Sequence, residues 1–231
     1  MEQHQNIKKQ TMKYLILIVL FSGLILNGCN QHPKSKALTE NQAEKSSITE
    51  NSADKDEIQK LIQQVLKWSN SEKNIDFLPV LPDSLNSLYI GFDMSQHKAN
   101  LEKLRQTDFF SSEFIENYNQ IILTLDKKLK NKDFNDWLVG DMPPFAFFGE
   151  ANPWCLCQDV PYDNPDPWGQ VEVEIINLKT DSGELNWKWG NLKPDYDKSW
   201  KMFRYKFKVV QENGKWKISY LRGFDFEECT K

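Results

Sequence analysis

Polar and apolar positions follow different rules in successive stretches of the chain. Residues 1–13 are polar and cationic, with Lys8, Lys9 and Lys13 against the single acid Glu2. An apolar run of 13 residues follows from Tyr14 to Leu26, eased only by Ser22 and Gly23. A helix needs about 20 apolar residues to cross a bilayer core, so this run is short for a permanent span. Between residues 30 and 53 the only large apolar side chains are Leu38 and Ile48, and there is no aromatic. Such a stretch buries too little surface to offset its ordering entropy, and a disordered tether is expected there.

From Asp54 onward the pattern is that of a folded domain. Ile58, Leu61, Ile62, Val65 and Leu66 recur at helical spacing and predict a helix from about Lys55 to Trp68. The segment from Ile75 to Gly91, with Pro79 and Pro82, reads as a long irregular connection holding at most one helical turn. A second helix is predicted from Ser95 to Gln106, with Ser95 capping its first turn. The third is the best marked: Ser111 or Ser112 caps it, and Phe114, Ile115, Tyr118, Ile121, Ile122 and Leu125 form a wide stripe. Lys127, Lys128 and Lys130 complement the negative end of its dipole.

Periodicity fails over residues 131–169, where Met142-Pro143-Pro144-Phe145 and Asn164-Pro165-Asp166-Pro167 cannot sustain a ladder. A short strand is expected between them, at Trp154 to Gln158. Beyond residue 170 the period becomes two. Val171, Val173 and Ile175 alternate with Glu172 and Glu174, and Asp181-Ser182-Gly183 turns the chain into a strand from Glu184 to Trp189. Trp200 to Val210 sets Phe203, Tyr205, Phe207 and Val209 against Arg204, Lys206 and Lys208. Asn213-Gly214 marks a hairpin, and Trp216, Ile218 and Tyr220 carry the last strand.

Helices followed by an antiparallel meander predict the α+β class, one domain over residues 54–231 with N-terminal helices packed on a curved antiparallel sheet. That order, with the closing strand Gly214-Lys215-Trp216-Lys217-Ile218-Ser219-Tyr220-Leu221, resembles the cystatin-like, nuclear transport factor two-like superfamily. The resemblance implies a curved sheet wrapped around a long helix as a cone with a pocket at its wide end. Within that superfamily, Trp154-Cys155-Leu156-Cys157-Gln158-Asp159 is similar to envelope lipoprotein domains of bacteria. Enzymes of the superfamily, such as ketosteroid isomerase and scytalone dehydratase, set Asp or His bases in the cone. No residue here aligns with those motifs, so no catalytic residue is carried over.

The end of the apolar run, Leu26-Asn27-Gly28-Cys29, resembles the lipobox of bacterial lipoproteins. It implies a signal peptide over residues 1–28, a lipidated Cys29, and a tether over 29–53. Two or more acyl chains, at about 0.8 kcal/mol per buried CH₂, hold a protein on a membrane without any span. Asn30 in place of Asp implies, by the sorting rule of enterobacterial lipoproteins, the outer membrane of a Gram-negative cell envelope.

Composition narrows the function classes. Across 231 residues, 29 Lys+Arg against 33 Asp+Glu give a net charge of −4, which lacks the basic footprint of a nucleic-acid binder. No nucleophile elbow, phosphate loop or dinucleotide fingerprint occurs, and no cofactor is implied. With Cys29 taken by lipid, Cys155, Cys157 and Cys229 remain in an oxidising setting. Residues two apart on a strand hold their Cα atoms about 6.5 Å apart, the outer limit for a relaxed disulfide. One of Cys155 or Cys157 is therefore expected to bridge Cys229, contributing about 4 kcal/mol through the long loop it closes. A zinc site or redox pair is the less favoured reading, because there is no Cys-x-x-Cys.

Asp159, Asp163 and Asp166 crowd a Pro-rich loop and are weak calcium candidates, since Asp also favours turns by itself. His97 offers a general base without a partner and is expected on a solvated helix face. Trp187 and Trp189 share a sheet face that is either an open stacking platform or core, and core is expected. The expected function is a membrane-anchored envelope lipoprotein that binds a small ligand or an envelope protein without catalysis. The alternatives are an enzyme using the cone pocket and a toxin antagonist of the immunity or inhibitor type.

Overall fold

Helix α1 (Ala37–Ser69) turns Ile58, Ile62, Val65 and Leu66 inward, each fully buried, as the i, i+4, i+7 spacing requires. The computed structural model describes residues 37–149, 151–162 and 165–231. The helix begins at Ala37, so the coil expected over residues 37–53 is replaced by helix. That stretch holds three Ala and three Glu, which favour helix, and extending a helix already docked on a core costs little.

Residues 80–92 correct the expectation of an irregular connection. They form a two-stranded antiparallel sheet of β1 (Val80–Pro82) and β2 (Tyr89–Phe92), with Leu81 opposite Gly91. Its connection is closed by Asp83, whose carboxylate accepts from the Ser87 amide at 2.7 Å. Helix α2 (Met94–Thr107) is capped by Asp93 and not by Ser95: the Asp93 carboxylate accepts from the amides of Ser95 and Gln96 at 2.9 and 3.0 Å. Helix α3 (Ser112–Lys130) follows the sequence closely, with Ser111 Oγ accepting from the Phe114 amide.

The main sheet has four antiparallel strands in chain order, β3 (Val171–Leu178), β4 (Ser182–Trp189), β5 (Tyr205–Glu212) and β6 (Lys215–Leu221). The architecture is α+β, with the three long helices ahead of this meander, the small sheet between α1 and α2, and two short helices later. These are α4 (Lys198–Met202), whose last three residues fall in the range predicted as strand, and α5 (Phe226–Cys229).

Alternation segregates the two faces of the sheet. Val173, Leu185, Trp187, Tyr205, Phe207 and Ile218 are buried on one face, which meets α1 at β3 and β6 and α3 at β6. On the opposite face Glu174 accepts from Arg204 at 2.6 Å and pairs with Lys188 at 3.0 Å, while Lys206 meets Glu184 at 2.5 Å. Ile175, expected inside, is 40% exposed, next to a register shift between Ile175 and Asn177 that breaks the alternation of β3.

Candidate functional site

Three segments far apart in sequence meet at one hydroxyl. Tyr205, on β5, is fully buried and donates from its OH to the Pro153 carbonyl at 2.7 Å. The same oxygen accepts from the Gly223 amide at 3.0 Å. Burial pushes this phenol well above its usual range, so it stays protonated and keeps donating. Gly223 sits so near the neighbouring loop that a Cβ there would lie 2.0 Å from the Pro153 carbonyl oxygen. Only glycine allows that approach.

The loop so held carries the cysteines, and here the sequence expectation is overturned. Cys155 and Cys157 are bonded to each other, and Cys229 is a free, buried thiol. The segment expected as a strand is a turn: Leu156 takes φ +49°, and its amide donates to the Asn152 carbonyl at 2.6 Å. That left-handed residue brings the two Cα atoms to 5.1 Å, shorter than an extended chain permits. Cys229 lies on α5 with its Sγ donating to the Gly223 carbonyl at 3.4 Å. Burial, aided by Asp225 and Glu228, pushes its thiol up to about 12, which makes it a poor nucleophile. Closing a three-residue ring stabilises the fold by only about 1.6 kcal/mol in the chain-entropy picture, against about 4 for the long loop first expected.

Beside the disulfide turn opens a hollow of about 600 Å³ walled by Met142, Phe145, Phe148, Pro153, Leu156 and Gly223. A second, of about 430 Å³, shares Leu156 and Gly223 and adds Tyr220, Arg222 and Cys229. The rim is apolar and wet: Met142 is 64%, Phe148 41% and Leu156 36% exposed. In contrast, the space between helices and sheet is occupied. Trp154, 1% exposed, stands there with ring centroids 4.6 Å from Phe224, 5.5 Å from Trp68 and 5.7 Å from Phe110.

The other sequence candidates scatter. Trp187 and Trp189 are core, as expected, stacked with Tyr205 and Trp168. His97 is not on a solvated face. It is 3% exposed, its Nε2 is 2.9 Å from Asn119 Oδ1, and its ring meets Tyr118 edge-on. Its Nδ1 has no hydrogen-bond partner, and burial lowers its pKa below the ordinary value. The helix register explains the misreading: Asn100 and Leu104, at i+3 and i+7, are buried beside it.

Of the calcium candidates, Asp166 caps the 3₁₀ turn Pro167–Gln170 through the Gly169 amide and pairs with Lys67 at 2.7 Å. Asp159 lies at the surface, and Asp163 lies outside the described residues. Among the described residues no group of three or more His, Cys, Asp or Glu is arranged to hold a metal ion, and no helix is long and apolar enough to cross a membrane. Cys29 and the apolar run expected to be a signal peptide lie outside the described residues.

The site is thus an apolar hollow flanked by a disulfide turn, on an α+β domain whose interior is filled. No protein family, curated protein or solved structure matches the chain. The hollow itself left no mark in the sequence, because its walls come from the aperiodic stretch 142–156 and from Gly223. The Tyr205 hydroxyl was likewise hidden among residues chosen for burial.

Proposed function

We propose that the chain is a lipid-anchored protein of the cell envelope, in the outer membrane of a Gram-negative bacterium. Its domain is a variant of the nuclear transport factor two-like cone that binds an apolar ligand, or an apolar segment of an envelope partner, without catalysis. The single observation that carries the binding mode is the occupied interior. Trp154 and its aromatic neighbours fill the place where a cone pocket would lie, which leaves the hollow at Met142, Phe148 and Leu156 as an apolar concavity open at the surface. Its volume falls in the range of small-molecule sites, about 300–1,000 Å³. The address rests on the cationic start, the short apolar run and Leu26-Asn27-Gly28-Cys29.

Two measurements test the two halves of this reading. Metabolic labelling with a clickable palmitate is expected to tag the wild type and not Cys29→Ala; equal labelling of both removes the anchor. Anilinonaphthalene sulfonate is expected to fluoresce on the folded full chain, and Met142→Glu with Phe148→Asn to weaken its binding about ten-fold, near 1.4 kcal/mol. Asn is chosen at position 148 because Phe148 has φ +62°, which Asn tolerates. Undiminished binding by the double variant would show that the hollow is not the site.

A further inference from the structure

A disulfide between residues two apart ties down almost no chain, and this one sits in a loop already held by other means. The Tyr205 hydroxyl, the close approach of Gly223 and the burial of Trp154 fix the segment that leads into it. The bond is therefore not what the fold depends on. We propose that Cys155–Cys157 is a thiol–disulfide exchange centre that takes two electrons from a dithiol, with Cys157 Sγ as the attacked atom and Cys155 Sγ as the leaving group.

Two observations set that direction, and a third favours opening of the ring. Cys155 is 3% exposed, whereas Cys157 is half-buried and lies between the exposed residues Leu156 and Gln158, so an incoming thiolate reaches Cys157 first. Cys155 Sγ lies 3.6 Å from the Cys157 carbonyl oxygen, an acceptor that a Cys155 thiol can use once the bond is open. Leu156, spanning the two sulfurs, is held at φ +49°, which is unfavourable for a branched apolar residue and so favours opening of the ring. Cys229 is not the resolving thiol, since its Sγ is already committed to the Gly223 carbonyl in a buried place.

The exchange proceeds in two balanced steps. One thiolate of the dithiol attacks Cys157 Sγ and forms a mixed disulfide. The Cys155–Cys157 bond breaks, its electron pair leaves on Cys155 Sγ, and that sulfur takes a proton from water. The second thiolate of the dithiol then attacks the dithiol's own sulfur in the mixed disulfide. An internal disulfide forms in the dithiol, and Cys157 leaves as a thiolate that is protonated in turn. The net change is one dithiol oxidised to a disulfide and one protein disulfide reduced to two thiols. The dithiol is either a small molecule or a cysteine pair in an envelope polypeptide.

The full chain in detergent micelles, never denatured, is the protein to test, with dithiothreitol and a reduced two-cysteine peptide flanked by Leu and Phe as probes. Mass-tagged alkylation is expected to show Cys155 and Cys157 converted to thiols as each probe is oxidised in equal amount. Faster oxidation of the peptide assigns a polypeptide dithiol, and equal or faster oxidation of dithiothreitol assigns a small one. A disulfide that resists both probes until urea is added overturns the proposal. Iodoacetamide should modify Cys157 in Cys155→Ser about ten-fold faster than Cys155 in Cys157→Ser; equal rates would overturn the assigned order. Leu156→Asn, which accepts the left-handed conformation, is expected to shift the redox equilibrium several-fold toward the disulfide, and Cys229→Ala to leave it unchanged. These readouts do not depend on lipidation or on ligand binding in the hollow, so they stand or fall separately from the binding function.

Discussion

At the scale of single residues, burial decides how a side chain titrates, and His97 is the sharpest case. It is the only histidine after residue 36, it is 3% exposed, and its Nδ1 lacks a partner, so its charged form is disfavoured in the fold. Desolvation lowers its pKa from the ordinary 6.5, against a smaller opposing effect of the Asn119 hydrogen bond. With the folded pKa below the unfolded one, the unfolded chain takes up a proton that the folded chain refuses as pH falls below 6.5. Stability is then full at neutral pH and declines on acidification at up to about 1.4 kcal/mol per pH unit until the folded pKa is reached. Thermal midpoints between pH 7.5 and 5 should therefore fall in the wild type, and His97→Gln should flatten the part of the slope below pH 6.5. A slope unchanged by the substitution would mean that other groups carry it.

At the scale of elements, the question is what holds a segment that has no period of its own. Helix α3 was legible because six apolar positions, a Ser cap and a basic last turn agree on one answer. The small sheet β1–β2 was not, since its register is imposed from outside: the Phe92 amide donates to Asp126 of α3 at 2.9 Å, and the Tyr89 amide to the Trp137 carbonyl at 2.9 Å. Neither bond leaves a trace in local composition. The cysteine turn was misread for a related reason, because strand spacing was assumed where a left-handed Leu156 folds the chain. Tyr205 gives this dependence on distant contacts a measurable form. Tyr205→Phe keeps the ring and its packing but leaves the Pro153 carbonyl and the Gly223 amide without their shared hydroxyl. The expected loss is about 2–6 kcal/mol, taking 1–3 for each orphaned group. Urea denaturation of the variant should show it as a lower midpoint with an unchanged slope. A loss below half a kcal/mol, on the order of a neutral surface change, would show that the junction relaxes freely.

At the scale of the whole molecule, a four-stranded open sheet has two edges to protect, and this fold covers each by a different device. Along β6 the main chain between α2 and α3 pairs in parallel: Ile218 donates to the Phe109 carbonyl and accepts from the Ser111 amide, both at 2.9 Å. Asp108 strengthens that seam by pairing with Lys215 and Lys217, whose hydrogen bonds and charges lower its pKa to about 2. Along β3 the cover is made of side chains. Gln59 of α1 accepts from the Val173 amide at 3.1 Å, and Gln63 donates to the carbonyls of Val171 and Gly169 at 2.9 and 3.2 Å. The two glutamines, one helical turn apart, imitate a neighbouring strand, which explains polar residues on the flank of an otherwise apolar stripe. Replacing both with alanine exposes that edge. Such a chain is expected to lose about 1–3 kcal/mol in urea denaturation and to scatter more light with rising concentration, as free strand edges pair between molecules. Lys60→Ala, on the exposed side of the same helix, is the control and should do neither. If the double variant proves as stable and as monodisperse as the wild type, the helix protects the edge by its bulk alone and the glutamine hydrogen bonds are incidental.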